Sequence, residues 1–220
     1  MDGGNAGGSE RYFRTPSPCE GIMKVLLLGP PRHLFSVFLS SFGDEVMTTD
    51  RELTADDLDG VGIVVSYGYR HILKRDALDR IGGRGVNLHI SLLPWNRGAD
   101  PNLWSFLEDT PKGVTIHRLE EGIDTGEIIA QREVQMRGDD TLRTSYARLT
   151  DAVEGLFFDV WPTLRSGVWK TIPQGAGGTY HRLKDKIPYE HLLTEGWDTP
   201  VCELIGKYVK DEVIAWDVPA

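Results

Sequence analysis

Cysteine is nearly absent: the 220 residues contain only Cys19 and Cys202. Their spacing fits neither a disulfide framework nor a structural metal site, so no metal is expected. A reducing cytoplasm is the default compartment. Basic charge is also scarce. Lys and Arg number 24 against 33 Asp and Glu, for a net charge of -9. Counterion release on a phosphate backbone needs clustered cations, so no nucleic-acid partner is expected, although one basic pocket for a single nucleotide is still compatible. Long apolar runs are missing as well. Val25–Leu28, after Lys24, is too short for a signal-peptide core, and nothing approaches the roughly 20 residues that span a bilayer. No membrane partner is expected, and the substrates should be soluble. The first turn, Gly29-Pro30-Pro31-Arg32, lacks the spaced glycines of a dinucleotide fingerprint, which argues against a nicotinamide enzyme.

What remains is an ordinary globular composition, 40% hydrophobic and 26% charged, in a chain long enough for one good-sized domain and a small addition. Residues 1–22, rich in Gly, Ser, Pro and charge, can bury little apolar surface and read as a flexible tail. From Met23 strands and helices alternate. Val25–Leu28 and Ile63–Val65 read as buried strands, with helical spacing at Leu34, Phe35, Phe38 and Leu39 between them. Glu45–Thr48 and Val86–His89 read as further strands, and Lys74–Ile81 as a helix. This alternation predicts an α/β fold, a mostly parallel sheet with helices on its faces. Asp100-Pro101 has the pattern of an N-cap followed by Pro at the first helical position, opening a helix through Leu107. Gly113–Leu119 and Ile128–Val134 read as strands. Leu142, Tyr146, Leu149, Val153, Leu156 and Val160 form one apolar stripe on a long helix that Pro162 should end or kink. The expected organisation is a catalytic domain over 23–167 and a small C-terminal appendage over 168–220.

In an open parallel sheet ligands bind beyond the carboxyl ends of the strands. Asn87 and His89 are two apart on a strand, so their side chains share a face. An amide and an imidazole converging there can stabilise an oxyanion. Asp124, in the glycine-flanked loop Gly122-Ile123-Asp124-Thr125-Gly126, can orient His89 and accept protons. On these residues alone an ordinary structural histidine and a turn aspartate are the commoner explanation of the pattern.

The longer pattern carries more. Asn87-Leu88-His89-Ile90-Ser91-Leu92-Leu93-Pro94, then Gly98, then Gly113-Val114-Thr115-Ile116-His117, then Gly122-Ile123-Asp124-Thr125-Gly126-Glu127-Ile128-Ile129 and Gln131 resemble, in order, the formyltransferase family. Ser66-Tyr67-Gly68-Tyr69-Arg70-His71-Ile72-Leu73 is similar to the loop with which that family helps hold a pterin. The resemblance implies a Rossmann-like formyltransferase fold and 10-formyltetrahydrofolate as formyl donor. It implies Asn87, His89 and Asp124 as catalytic residues. Tyr69, Arg70, Ile72, Leu73, Gly122, Ile123, Thr125 and Gly126 would hold the folate. One departure is Ile90, where the family often has Pro.

Three acceptor amines compete: glycinamide ribonucleotide, methionyl-tRNA and nucleotide-linked amino sugars. The acidic chain and short C-terminal segment argue against tRNA, and the Gly/Ser-rich phosphate loop of the purine-pathway member is missing. Trp95-Asn96-Arg97-Gly98-Ala99-Asp100-Pro101-Asn102 and Gly178-Thr179-Tyr180-His181 look similar to the sugar N-formyltransferases, including the branch that formylates a pseudaminic-acid precursor. Trp95, Arg97, Gly98 and Tyr180 are the residues expected on the acceptor side, by apolar stacking and by pairing with a diphosphate. A loop anchor and a surface ion pair explain Trp95 and Arg97 equally well. For Tyr180, His181, Arg182 and Lys184 a solvated strand face is favoured over contact with the nucleotide. His117 is expected to be a packed, loop-supporting histidine. A folate- or nucleotide-binding module without turnover is the reading from another class, and a homodimer is compatible with the appendage.

Overall fold

The computed structural model describes residues 21–208. The expected tail therefore lies outside the described residues except for Gly21 and Ile22. Six strands form one sheet in the order β2-β1-β3-β4-β6-β7. They are β1 (Lys24–Leu28), β2 (Glu45–Thr49), β3 (Ile63–Ser66), β4 (Gly85–His89), β6 (Gly113–Arg118) and β7 (Ile128–Glu133). The pairs β1–β2, β1–β3 and β3–β4 are parallel. The pairs β4–β6 and β6–β7 are antiparallel. The mostly parallel α/β architecture is as expected, and the antiparallel end is the part that periodicity does not specify. A two-residue parallel pair joins β5 (Arg97–Gly98) to β8 (Tyr180–His181).

The sheet is covered on both faces, which explains the unbroken apolar runs. Val25 and Leu27 of β1 join one core with Ile63, Val65, Val86 and Leu88, beneath α1 (His33–Ser40) and α4 (Leu142–Ser166). Leu26, Leu28 and Val64 point the other way, to Leu53, Leu58 and α2 (Arg75–Ile81). The strict alternation of neighbours between the two cores is the period-two rule of a strand at work.

Three local expectations need correction. The long helix runs through Pro162 and stops at Gly167, which takes a left-handed C-cap with φ 69°. Trp161 and Leu164 are buried on either side of the proline, and their packing holds the last turn. The buried stripe also turns away from Tyr146, 40% exposed, toward Ser145, Phe157, Trp161 and Leu164, as 3.6 residues per turn requires over so long a helix. Asp100 stands at the N-cap of α3 (Pro101–Leu107) but does not cap it. Its backbone is left-handed at φ 51°, and its carboxylate pairs with Lys186 at 2.9 Å.

The segment after α4 packs back onto the sheet domain. Ile172 makes a two-way backbone pair with Ile128 at 2.8 and 2.9 Å. Val201 and Leu204 are buried against Leu103, Trp104 and Leu107 of α3.

Candidate active site

Asn87 and His89 leave β4 on the same face, opposite Val86 and Leu88, whose side chains fill the α1/α4 core. The antiparallel register sets Asn87 across from His117 of β6. From β6 the chain turns through a loop that ends at β7, and Asp124 lies in that loop at φ 55°. A non-glycine residue there is strained by about 1–3 kcal/mol and persists only where its surroundings hold it.

The three side chains converge. Asn87 Nδ2 donates to Asp124 Oδ1 at 3.1 Å. Asp124 Oδ2 faces His89 Nδ1 at 3.6 Å, both side chains being almost wholly buried. The backbone N–H of Gly98 donates to the same Oδ2 at 2.9 Å. His89 Nε2 sits 3.0 Å from the carbonyl of Asn96, so that nitrogen carries a proton and donates. His117 Nδ1 lies 2.9 Å from the carbonyl of Arg118, and must likewise donate. Its Nε2 is then free to accept from Asn87 Nδ2 at 3.1 Å, and it stands 3.4 Å from Asp124 Oδ1. Both amide hydrogens of Asn87 are thereby used.

Burial works against ionisation of Asp124. The charge of His89 foremost, with His117 and the Gly98 N–H beside the carboxylate, outweighs it and holds the carboxyl well below the ordinary aspartate range. Such a carboxylate is a weak proton acceptor. Its position suits it to fix and charge-balance His89.

These groups open into a cleft of about 450 Å³. One wall carries Tyr69, Arg70, Ile72 and Leu73 from the loop after β3, and Gly122, Ile123, Thr125 and Gly126 from the Asp124 loop. All eight residues expected on the folate side therefore line the same cleft as Asn87, His89 and Asp124. Ile72 and Ile123 are exposed apolar side chains, and Tyr69 is braced by its hydroxyl, which donates to Arg51 O at 2.8 Å. The cleft is lined also by Ile90, Asp100, Pro101 and Tyr146. A smaller apolar cavity of about 150 Å³ shares these four residues and includes Leu103, Leu142 and Trp197.

The acceptor-side expectation fares differently. Gly98 lines the cleft; Trp95, Arg97 and Tyr180 do not. After β4 the chain makes a tight turn in which Trp95 N donates to Leu92 O at 3.1 Å, and this carries Trp95 away. Arg97 has both Nε and Nη2 on Gln174 Oε1, at 2.9 and 2.7 Å. Tyr180, 43% exposed, covers the outer side of Gly98. His181 is not on a solvated face: it is buried, stacked on Trp104 at 3.7 Å, with Nε2 3.1 Å from Glu108.

Two residues that sequence reasoning missed support the trio. Asn96 is fully buried, takes φ 55°, and holds His89 through its carbonyl. Its side chain donates to Glu108 at 3.0 Å and accepts from Thr110 at 2.8 Å. Gln174 donates to the carbonyls of Asp124 and Gly126, each at 2.8 Å. Gln174 belongs to no motif, and Asn96 lies in the stretch Trp95–Asn102 without a role of its own having been expected. His117, expected to support the loop, bonds both Asn87 and the loop. Among the described residues no group of three or more His, Cys, Asp or Glu is arranged to hold a metal ion, and no helix is long and apolar enough to cross a membrane.

The family profile described as Formyl transferase matches residues 18–160. The chain is 57% identical to the formyltransferase PseJ of Anoxybacillus kamchatkensis, solved in complex with UDP-4,6-dideoxy-4-formamido-L-AltNAc and tetrahydrofolate. That match covers 84% of this chain and 98% of the other, with a TM-score of 0.82. Rv3404c of Mycobacterium tuberculosis is 26% identical over 75% of this chain and 77% of its own, with a TM-score of 0.66. A sugar N-formyltransferase of a Shewanella species shares the fold at 23% identity, covering 74% of this chain and 78% of its own, with a TM-score of 0.64. The ordered motif, the convergent side chains and these matches agree: the chain belongs to the formyl transferase family.

Proposed function

We propose that this enzyme transfers a formyl group from 10-formyltetrahydrofolate to the amine of a nucleotide-linked amino sugar, with Asn87, His89 and Asp124 as its catalytic residues. The observation that carries the reading is the convergence of the Asn87 amide and the His89 Nδ1 on one carboxylate, at 3.1 and 3.6 Å, inside a cleft. The complex of the 57% identical relative with a UDP-linked formamido sugar and tetrahydrofolate supports the substrate pair.

The residues fit a reduced folate. A flat heterocycle needs apolar faces and backbone groups at its edge. Ile72, Leu73 and Ile123 offer the first, and the loops around Arg70 and Gly122–Gly126 offer the second. The folate supplies the activated formyl group, and this chain's residues do the rest. When an amine attacks the formyl carbon, charge builds on the formyl oxygen. Asn87 Nδ2 donates to Oδ1 of Asp124 and His89 Nδ1 faces Oδ2. A formyl oxygen that enters the cleft beside the carboxylate would take over one hydrogen of Asn87 Nδ2 and meet a protonated His89 Nδ1, and buried donors of this kind stabilise developing charge effectively. Asp124 holds the second proton of His89 in place. The Asn87 amide oxygen is left to accept a hydrogen bond from the attacking amine; as the bond from the formyl carbon to the folate nitrogen breaks, the attacking amine gives up a proton and the departing nitrogen gains one, directly or through solvent. The loss of one such donor costs about a hundred- to a thousandfold in rate.

The test is a tetrahydrofolate-release assay with 10-formyltetrahydrofolate and a panel of nucleotide-linked 4-amino-4,6-dideoxy sugars, glycinamide ribonucleotide and charged initiator tRNA. Turnover with one of the sugars is the expected result. Turnover with the ribonucleotide or the tRNA alone overturns the acceptor. Folate binding without turnover on any acceptor replaces the reading with a binding module.

A further inference from the structure

We propose that Gln174 is a positioning residue that holds Asp124 in its left-handed backbone conformation and so sets the geometry of the catalytic loop. The proposal rests on the reading of Asp124 as a working residue of formyl transfer. Gln174 lies beyond α4, fifty residues from Asp124 along the chain, in the segment that follows the backbone pairing of Ile172 with Ile128.

The hydrogen bonds define the device. Gln174 Oε1 accepts from Arg97 Nε at 2.9 Å and from Arg97 Nη2 at 2.7 Å. Two guanidinium donors on one oxygen leave no doubt about which amide atom is which. Gln174 Nε2 then donates one hydrogen to Asp124 O and the other to Gly126 O, each at 2.8 Å. The side chain is half-buried, and each of its amide hydrogens and both lone-pair positions are engaged. The charged partner strengthens the whole chain of bonds.

The same short strand acts on Asp124 from two sides. Arg97 grips the backbone of the loop through Gln174, and its neighbour Gly98 donates to the Asp124 carboxylate at 2.9 Å. Gly98 itself is pressed against β8: a Cβ there would lie 2.2 Å from His181 O. Side chain and main chain of Asp124 are thus referred to one frame, β5 with β8. That frame resolves two problems at once. It holds a residue whose φ of 55° is unfavourable. It also accounts for Arg97, whose guanidinium is turned to Gln174 and away from the cleft.

The decisive comparison is Gln174→Glu against Gln174→Ala and wild type in the full chain. Glutamate has the same shape and still accepts from Arg97, now as an ion pair. It cannot donate to Asp124 O or Gly126 O. If Gln174 only anchors Arg97, Gln174→Glu keeps wild-type turnover and Gln174→Ala does not. If it positions the loop, both variants lose about ten- to a hundredfold in kcat, while KM for the amino sugar stays within about twofold of wild type, because neither variant touches the cleft-lining side chains. The double variant Arg97→Ala with Gln174→Ala should then be no worse than Gln174→Ala alone, since the two act through one chain of bonds. Full turnover of Gln174→Glu overturns the proposal, as does additive loss in the double variant. Hydrogen exchange over the loop 122–126 gives a second readout that needs no turnover: faster exchange in Gln174→Glu supports the clamp, and unchanged exchange overturns it. A wild-type enzyme that releases no tetrahydrofolate with any acceptor removes the formyl-transfer reading, and exchange alone then decides whether the clamp exists.

Discussion

Replacing Asp124 with asparagine changes one atom type in the centre of the site. The His89 imidazole lies 3.6 Å from the carboxylate. At an effective dielectric near 20, opposite unit charges at that separation attract by about 4–5 kcal/mol. Asp124→Asn forfeits that attraction when His89 carries its second proton. The amide also conflicts with its surroundings. Turned one way, its NH2 faces the Asn87 Nδ2 donor; turned the other, it faces the Gly98 N–H. At about 1.4 kcal/mol per decade, a loss confined mostly to the transition state lowers kcat by about a thousandfold. Tetrahydrofolate release measures it, with circular dichroism and Tm as the check on folding. A folded Asp124→Asn enzyme within tenfold of wild type would refute the electrostatic reasoning.

The same residue sets a pH dependence of stability. Because the folded state holds the Asp124 carboxyl below its ordinary range, its stabilising contribution is fully present above an unfolded value of about 4. It is lost as pH falls from there through the lower folded value. Urea unfolding of wild type and Asp124→Asn should therefore differ equally at pH 7 and pH 5 and converge only under stronger acid; convergence between pH 7 and pH 5 would contradict the direction of the shift. Gly126→Ala should destabilise by about 1–3 kcal/mol and reduce turnover, since its Cβ would lie 1.9 Å from Arg118 O and 3.2 Å from His117 Nδ1. Thermal melts beside the release assay test it, and an unaffected Tm would show that the loop yields. Thr141→Ala serves as a contrast. It removes the acceptor for Thr144 N at the start of α4, so about 1 kcal/mol of stability should go with kcat unchanged.

Several features of this protein were legible in the residues alone because they depend on local rules. Unbroken apolar runs such as Val25–Leu28 and Ile63–Val65 announce strands covered on both faces. The pair Asn87 and His89 must share a face wherever the strand goes. The ordered stretch from Asn87 to Gln131 identified the family, and the folate-side residues named from it all line the cleft that holds Asn87, His89 and Asp124. Turn positions also announced themselves, as with Gly122 and Gly126 around Asp124.

Tertiary structure alone decided what depends on distant segments meeting. Trp95 and Arg97 follow β4 closely in sequence, yet a tight turn and a guanidinium bound to Gln174 keep them from the cleft. Proximity along the chain says little about convergence once the chain has turned. Gln174 carries no motif, because its amide gains its role only from partners 48 to 77 residues away, and Asn96, although it lies in the stretch Trp95–Asn102, is buried by side-chain partners 12 to 83 residues away. The depressed acidity of Asp124 likewise has no signature in Gly-Ile-Asp-Thr-Gly. It arises when β4, β6 and the Gly98 amide bring two imidazoles and an N–H around one buried carboxylate, and electrostatic energy of that kind depends on separations in space that only the folded chain defines.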